Sequence, residues 1–256
     1  MTRIIAVANQ KGGVAKTTTV ASLSAALVEL GRRVLVIDLD PQACLTFSLG
    51  LDPETVELSV HDVLLGRVSA ATAVVTTDDG VDLLPATIDL AGTEAHLLTK
   101  TGREHTLRLA ISDLVAGYDF VLMDCSPSLG VLTINALTAA HEVLVPLQCE
   151  TLSHRGVGQL LDTVHDVQRL TNPRLQVLGV LPTLYDGRTT HARAVLADIG
   201  DRYGLHVLTP PIAKTIRFAE APAAGRSVLA TAGTSRGADN YREVARGLVD
   251  ASEGAA

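Results

Sequence analysis

Apolar residues follow two rhythms along this chain. Short β-branched runs at Ile4 to Asn9, Val34 to Asp38, Val81 to Pro85, Phe120 to Asp124, Glu142 to Pro146 and Gln176 to Leu184 read as strands, several of them apolar enough to be buried on both faces. Between them, Thr17 to Leu30, Glu104 to Ala116, Gly156 to Leu170, Thr190 to Tyr203 and Tyr241 to Ala251 carry apolar residues near helical spacing. Such alternation predicts βαβ units with right-handed crossovers. The fold class is therefore α/β, a mostly parallel twisted sheet with helices on both faces. No repeat or Pro/Gly/Ser-rich linker interrupts the pattern, so a single domain over 1–256 is expected, with 248–256 a frayed or disordered tail. Asp186 to Thr190 and Ala213 to Gly237, broken by Gly, Pro and Ala, read as surface loops.

Composition narrows this picture. Hydrophobic residues make up 47% of the chain and charged ones 19%, a globular balance, and with aromatics at 3% the core must be built from Ala, Val, Leu and Ile. A net charge of −7 argues against a protein that coats nucleic acid by bulk attraction. Between residues 185 and 246, however, nine Lys/Arg stand against six Asp/Glu, leaving 12 against 22 elsewhere, so any polyanion contact falls in the C-terminal third. Cys44, Cys125 and Cys149 are odd in number and form no C-x-x-C pair, and they read as small buried hydrophobes rather than as disulfides or zinc ligands. No apolar run approaches the roughly 18 residues of a membrane span, and no signal peptide precedes the first strand, so a cytoplasmic protein is expected.

The candidate chemistry begins where the first strand runs out. Asn9, Gln10, Lys11, Gly12, Gly13, Val14, Ala15, Lys16, Thr17 and Thr18 follow it, and a helix starts. Strand, glycine turn, Lys-Thr and helix is the order of a phosphate-binding loop. Glycine lets backbone N–H groups turn toward the phosphates, Lys16 reaches the β- and γ-phosphates, and the Thr17 hydroxyl suits Mg²⁺. The strict G-x-x-x-x-G-K-[ST] pattern fails twice, since Gln10 and Ala15 occupy its glycine positions. Two further strands end in carboxylates, at Asp38-Leu39-Asp40 and at Asp124, on the edge where open α/β sheets gather ligands. Asp38 is a candidate to support Mg²⁺ through water and Asp40 to position an attacking water. Asp124 has the form of a Walker B carboxylate, and Cys125 to Gly130 that of a loop sensing the γ-phosphate.

The second lysine changes the reading. K-G-G-x-x-K-T resembles the deviant Walker A loop of the ParA/MinD family of P-loop NTPases, with Lys11 as its signature lysine. The likeness to ParA/Soj-type partition ATPases extends over nearly the whole chain. It is carried by A-N-Q-K-G-G-V-A-K-T-T-T from Ala8, D-L-D-P-Q from Asp38, Y-D-F-V-L-M-D-C-S-P-S-L-G from Tyr118, V-P-L-Q-C-E from Val145 and R-F-A-E-A-P from Arg217. The resemblance implies an ATP- and Mg²⁺-dependent ATPase that forms a homodimer, Lys11 crossing to the partner's nucleotide and Asp40 serving hydrolysis. It further implies non-specific DNA binding, through positions matching Arg188 and Arg217, on the nucleoid, and a ParB-like protein that stimulates hydrolysis. A MinD-like or other cargo-positioning ATPase is the alternative. Membrane cycling would need a basic amphipathic terminal helix, whereas Val249 to Ala256 is acidic and lacks Lys and Arg, so no membrane partner is expected.

Overall fold

In chain order the computed structural model, which describes residues 2–150 and 153–254, contains β1 (Arg3–Val7), α1 (Lys16–Glu29), β2 (Val34–Leu39), α2 (Cys44–Ser48), α3 (Val60–Leu64), α4 (Ala70–Ala73), β3 (Val75–Thr76), β4 (Asp82–Leu84), α5 (Leu90–Leu97), α6 (Thr106–Val115) and β5 (Phe120–Cys125). There follow α7 (Val131–Ala139), β6 (Glu142–Gln148), α8 (Ser153–Leu170), β7 (Gln176–Thr183), α9 (Thr190–Tyr203), α10 (Arg217–Glu220), α11 (Val228–Thr231) and α12 (Arg236–Glu253).

The strands form one sheet in the order β3-β4-β2-β5-β1-β6-β7, parallel throughout except where β3 runs against β4. Every residue of β2 and β5 is buried, as continuous Val/Ile/Leu runs require of central parallel strands. Alternate side chains feed two cores. Ile4, Ala6, Ile37 and Met123 face one layer, which α3, α5, α6, α7 and α8 cover, while Ile5, Val7, Val36 and Leu122 face the other, filled by α1 and α12. This is the expected α/β sheet with helices on both faces. All the parallel strands end on the same edge, and the site lies there.

Three expectations need correction. The tail is not frayed through 253: α12 runs to Glu253 with Leu248 and Val249 buried, and Arg3 donates to the Leu248 carbonyl at 2.6 Å. The last two residues lie outside the described part. Within Ala213 to Gly237, α10, a 3₁₀ turn over Ala221–Ala224 and α11 lay Phe218, Ala221, Val228 and Leu229 over α1, so much of this expected loop is core. Phe218 meets the ring of Tyr241 edge-on, with centroids 5.9 Å apart. Of the cysteines expected to be buried, Cys125 is, but Cys44 is exposed at the start of α2.

Candidate nucleotide site

The loop between β1 and α1 is fastened at both ends to neighbouring strands. Asn9, 2% exposed, donates from Nδ2 to the carbonyl of Pro146 in β6 at 2.7 Å and accepts the Lys11 amide on Oδ1 at 3.0 Å. Thr183, at the end of β7, donates to the Val14 carbonyl at 2.9 Å. Gly13 has φ +74°, a conformation glycine adopts without cost, and Ala15 has φ +62° at the N-cap of α1. Left-handed backbone costs an L residue roughly 1–2 kcal/mol. Alanine in place of the motif's glycine is thus a strained residue in a turn that still closes.

The two lysines point to different duties. Lys16, the first residue of α1, is 7% exposed and its ammonium donates back to the Lys11 carbonyl at 3.2 Å. Burial lowers its pKa, against the pull of Asp124, Cys125 and Asp40. Lys11 turns outward, and its Nζ lies 2.5 Å from Glu150 Oε2 at the end of β6.

Parallel register sets Asp38 of β2 directly beside Asp124 of β5, and Asp124 beside Val7 at the end of β1. Two carboxylates therefore stand at one level under the loop. Thr17 donates its hydroxyl to Asp124 Oδ2 at 2.7 Å, while Asp124 Oδ1 is buried with no hydrogen-bond partner. An orphaned carboxylate oxygen beside a threonine hydroxyl fits a hard cation that keeps several waters, as Mg²⁺ does. Burial, then the Asp38 charge, raise the Asp124 pKa. Asp38 is likewise pushed up to about 6 by burial, against its hydrogen bonds from Thr46. Its oxygens are already committed: Oδ1 accepts the Asp40 amide at 3.1 Å, and Oδ2 accepts the Thr46 amide at 2.9 Å and hydroxyl at 2.8 Å. Among the expected metal residues, Thr17 and Asp124 are in contact, whereas Asp38 stands next to them as a post that shapes the loop after β2.

Thr46 also accepts the Ala86 amide on Oγ1 at 2.9 Å, linking β2 to the end of β4. Replacing it as Thr46→Val leaves that amide and one Asp38 lone pair unmet in the core. We expect a loss of about 1–3 kcal/mol of stability in urea unfolding with an unchanged m-value, and an unshifted midpoint would refute this role.

Asp40 sits one residue beyond β2, half-buried, its Oδ1 accepting the Gln42 amide at 3.0 Å. The two expected DNA contacts lie elsewhere, Arg188 in the loop before α9 and Arg217 at the start of α10, on adjoining segments, since Tyr185 bridges Ala213 and accepts the Lys214 amide at 3.2 Å. Arg188 is 91% exposed and held by both oxygens of Asp186 at 2.9 Å. Arg217, 55% exposed, pairs with Glu220 at 2.7 Å. Exposed pairs of this kind are worth little and exchange readily for other anions. Asn9, Thr46, Glu150 and Thr183 join the site only through the fold, and no sequence pattern singles them out. Asn9 and Glu150 at least lie inside stretches that carry the family resemblance.

Comparison with known proteins places this geometry. The AAA domain family matches residues 2–177. The chromosome-partitioning ATPase Soj of Thermus thermophilus is 46% identical over 243 residues, 95% of this chain and 94% of its own length. The sporulation initiation inhibitor protein Soj of Bacillus subtilis is 41% identical over 247 residues, 96% of this chain and 98% of its own. Among solved structures, a Mycobacterium smegmatis protein described as cobyrinic acid a,c-diamide synthase, with bound ADP and magnesium, is 60% identical with a TM-score of 0.88, covering 97% of this chain and 94% of that one. Among the described residues, no helix is long and apolar enough to cross a membrane. A two-lysine phosphate loop, its paired strand-end aspartates and relatives matched along nearly their full length agree: the chain belongs to the ParA/Soj-type ATPases of the ParA/MinD deviant Walker A family, P-loop enzymes that use ATP and Mg²⁺.

Proposed function

We propose that this protein is an ATP-switched homodimer that binds DNA without sequence preference and partitions a chromosome or plasmid with a ParB-like partner that stimulates its slow hydrolysis. The observation that carries the proposal is the division of labour between the lysines. Lys16 is buried and curled onto its own loop, where it serves the nucleotide of its own subunit. Lys11 stands at the rim against Glu150, and in this reading it crosses to the nucleotide of a second subunit. The match to Soj proteins over nearly their full length supports the partitioning role. In this reading the loop amides and Lys16 bind the triphosphate, Thr17 and Asp124 hold the metal, with Asp38 beside them, and Asp40 orients water. Mg²⁺, when bound there, neutralises charge on the β- and γ-phosphates.

Arg188 and Arg217 would contact DNA phosphates by trading Asp186 and Glu220 for the backbone, and a protein acting this way sits on the nucleoid. Sedimentation of the Asp40→Ala protein with and without ATP and DNA tests the whole reading. We expect a monomer alone, a dimer with ATP, and DNA binding only with ATP that weakens with salt. Arg217→Ala should reduce affinity about equally on unrelated sequences and flatten the salt slope by about 1. DNA binding that ignores ATP would sink the switch. The name borne by the M. smegmatis structure favours a second reading, ATP-driven amidation of a carboxylate. Steady release of ADP and phosphate with no acid acceptor present argues for the switch, and turnover that requires such an acceptor argues for the ligase.

A further inference from the structure

Asn9, 2% exposed, is the most buried polar side chain of the phosphate loop, and both ends of its amide are in use. Nδ2 donates to the Pro146 carbonyl of β6 at 2.7 Å, and Oδ1 accepts the Lys11 amide at 3.0 Å. The second contact closes an Asx turn over residues 9–11. Of the side chains with this shape, only asparagine puts a donor and an acceptor at one tip; aspartate has no donor for a carbonyl, and leucine has neither. Helix α8 closes over the turn. A Cβ placed on Gly156 would fall 3.1 Å from Asn9 Oδ1 and 3.8 Å from the Lys11 nitrogen, so bare backbone packs against it. A polar contact shut away from water in this way is costly to break.

What the turn holds is Lys11. The strand that anchors Asn9 at Pro146 runs on to Gln148, and Glu150, which takes the Lys11 ammonium, lies two residues beyond with its amide on the Gln148 carbonyl at 2.8 Å. Lys11 is thus fixed at its amide and at its ammonium, and both attachments lead to β6. Its carbonyl accepts Lys16 Nζ at 3.2 Å.

Resting on the reading that Lys11 serves the nucleotide of a second subunit, we propose that Asn9 is a positioning residue for ATP hydrolysis that acts through Lys11. When a triphosphate claims the Lys16 ammonium, the Lys11 carbonyl loses that partner. When Lys11 leaves Glu150 to cross the interface, its side chain loses the other. The Asn9 bond survives both changes because it involves neither ammonium. Lys11 then swings on a peptide whose remaining tie is Asn9, and through Asn9 it stays registered to β6. An ammonium on a flexible four-carbon stem reaches a defined place only if its backbone is held, and a misplacement of about 1 Å costs up to about 100-fold in rate.

Steady-state hydrolysis of MgATP by the full chain tests this, read as kcat against KM. Asn9→Ala should lower kcat by about tenfold or more while KM stays within about threefold. Asn9→Ser should recover part of the rate, since a serine hydroxyl can accept the same amide two residues on. In a Lys11→Ala background, Asn9→Ala should cost less than about twofold more, the non-additivity of two residues that act as one. Thr183→Val supplies the contrast: it removes the other brace, on Val14, and its effect should multiply with that of Lys11→Ala. Multiplying losses for Asn9 and Lys11, or an Asn9→Ala loss confined to KM, make Asn9 a plain brace and overturn the proposal. So does a Thr183→Val effect that vanishes in the same background, or wild-type kcat in Asn9→Ala beside a slow Lys11→Ala. A Lys11→Ala protein that hydrolyses at the wild-type rate defeats the reading of Lys11 itself, and the proposal with it. Should Asn9→Ala lose ATP altogether, the same cycle run with Asn9→Ser decides.

Discussion

Lys16→Ala should raise the dissociation constant for ATP by at least about 100-fold, or ~2.7 kcal/mol, and should lose with it the proposed ATP-dependent dimer and DNA binding. The reason lies in what surrounds the ammonium. Asp124, Asp40 and Asp38 all crowd the floor of the site, and Lys16 is the buried positive charge set among them. A triphosphate entering without that lysine meets carboxylates and only the loop's amides in compensation, so an anion site becomes a repulsive one. The folded protein itself should tolerate the change, because burying the ammonium is costly in the absence of nucleotide. An unchanged melting temperature beside lost ATP affinity is the expected pair of results. Lys11→Ala offers the contrast: its side chain reaches Glu150 rather than the loop interior, so a monomer lacking it should still bind ATP near the wild-type level. Isothermal titration of both variants separates the roles, and retained ATP affinity in Lys16→Ala would remove the loop from the mechanism.

Much of this site is visible in one dimension because a parallel sheet turns strand ends into neighbours. Asp38 and Asp124 are separated by 85 intervening residues, yet each closes a buried run that must pair in register, and the structure sets them side by side. What stayed hidden has physical causes. Val131–Ala139 shows no helical period because α7 is buried nearly all round, so there is no polar face to mark it. The Val75–Thr76 strand is two residues long and exposed, too short to show any alternation. The short helices over α1 are broken by Pro222 and Gly225 and look like loop until Phe218 and Leu229 are seen in the core. Glu150 and Thr46 act through partners 139 and eight residues away, and no spacing rule predicts either contact. The expected fraying from 248 fails because Leu248 and Val249 pack against the same core as α1 and the Arg3 guanidinium caps the Leu248 carbonyl, long-range contacts that no local pattern in the tail reveals.

Asp40→Ala should bind ATP within about threefold of wild type and accumulate as a dimer, while turnover falls by about 100- to 1,000-fold. Asp40 is the carboxylate of the cluster that solvent reaches, since Asp38 and Asp124 are buried. Asp38 is spent on Thr46 and the Asp40 amide, while Asp124 holds Thr17 with one oxygen and keeps the other for the metal. Asp40, half-buried beyond the strand, uses one oxygen on Gln42 and stands at the edge that water reaches. Because that contact is an Asx turn, Ala would also loosen the loop, so the informative companion is Asp40→Asn. Asparagine keeps an oxygen for the Gln42 amide and so keeps the turn, but it has no carboxylate to orient and polarise a water. If both variants lose hydrolysis and both hold the dimer, the charge is what matters. An Asp40→Asn protein that hydrolyses at the wild-type rate would instead leave Asp40 only its turn, and the water would have to be oriented by another group at the same edge. Phosphate release under single-turnover conditions measures this directly, since it is insensitive to how slowly the product dimer comes apart.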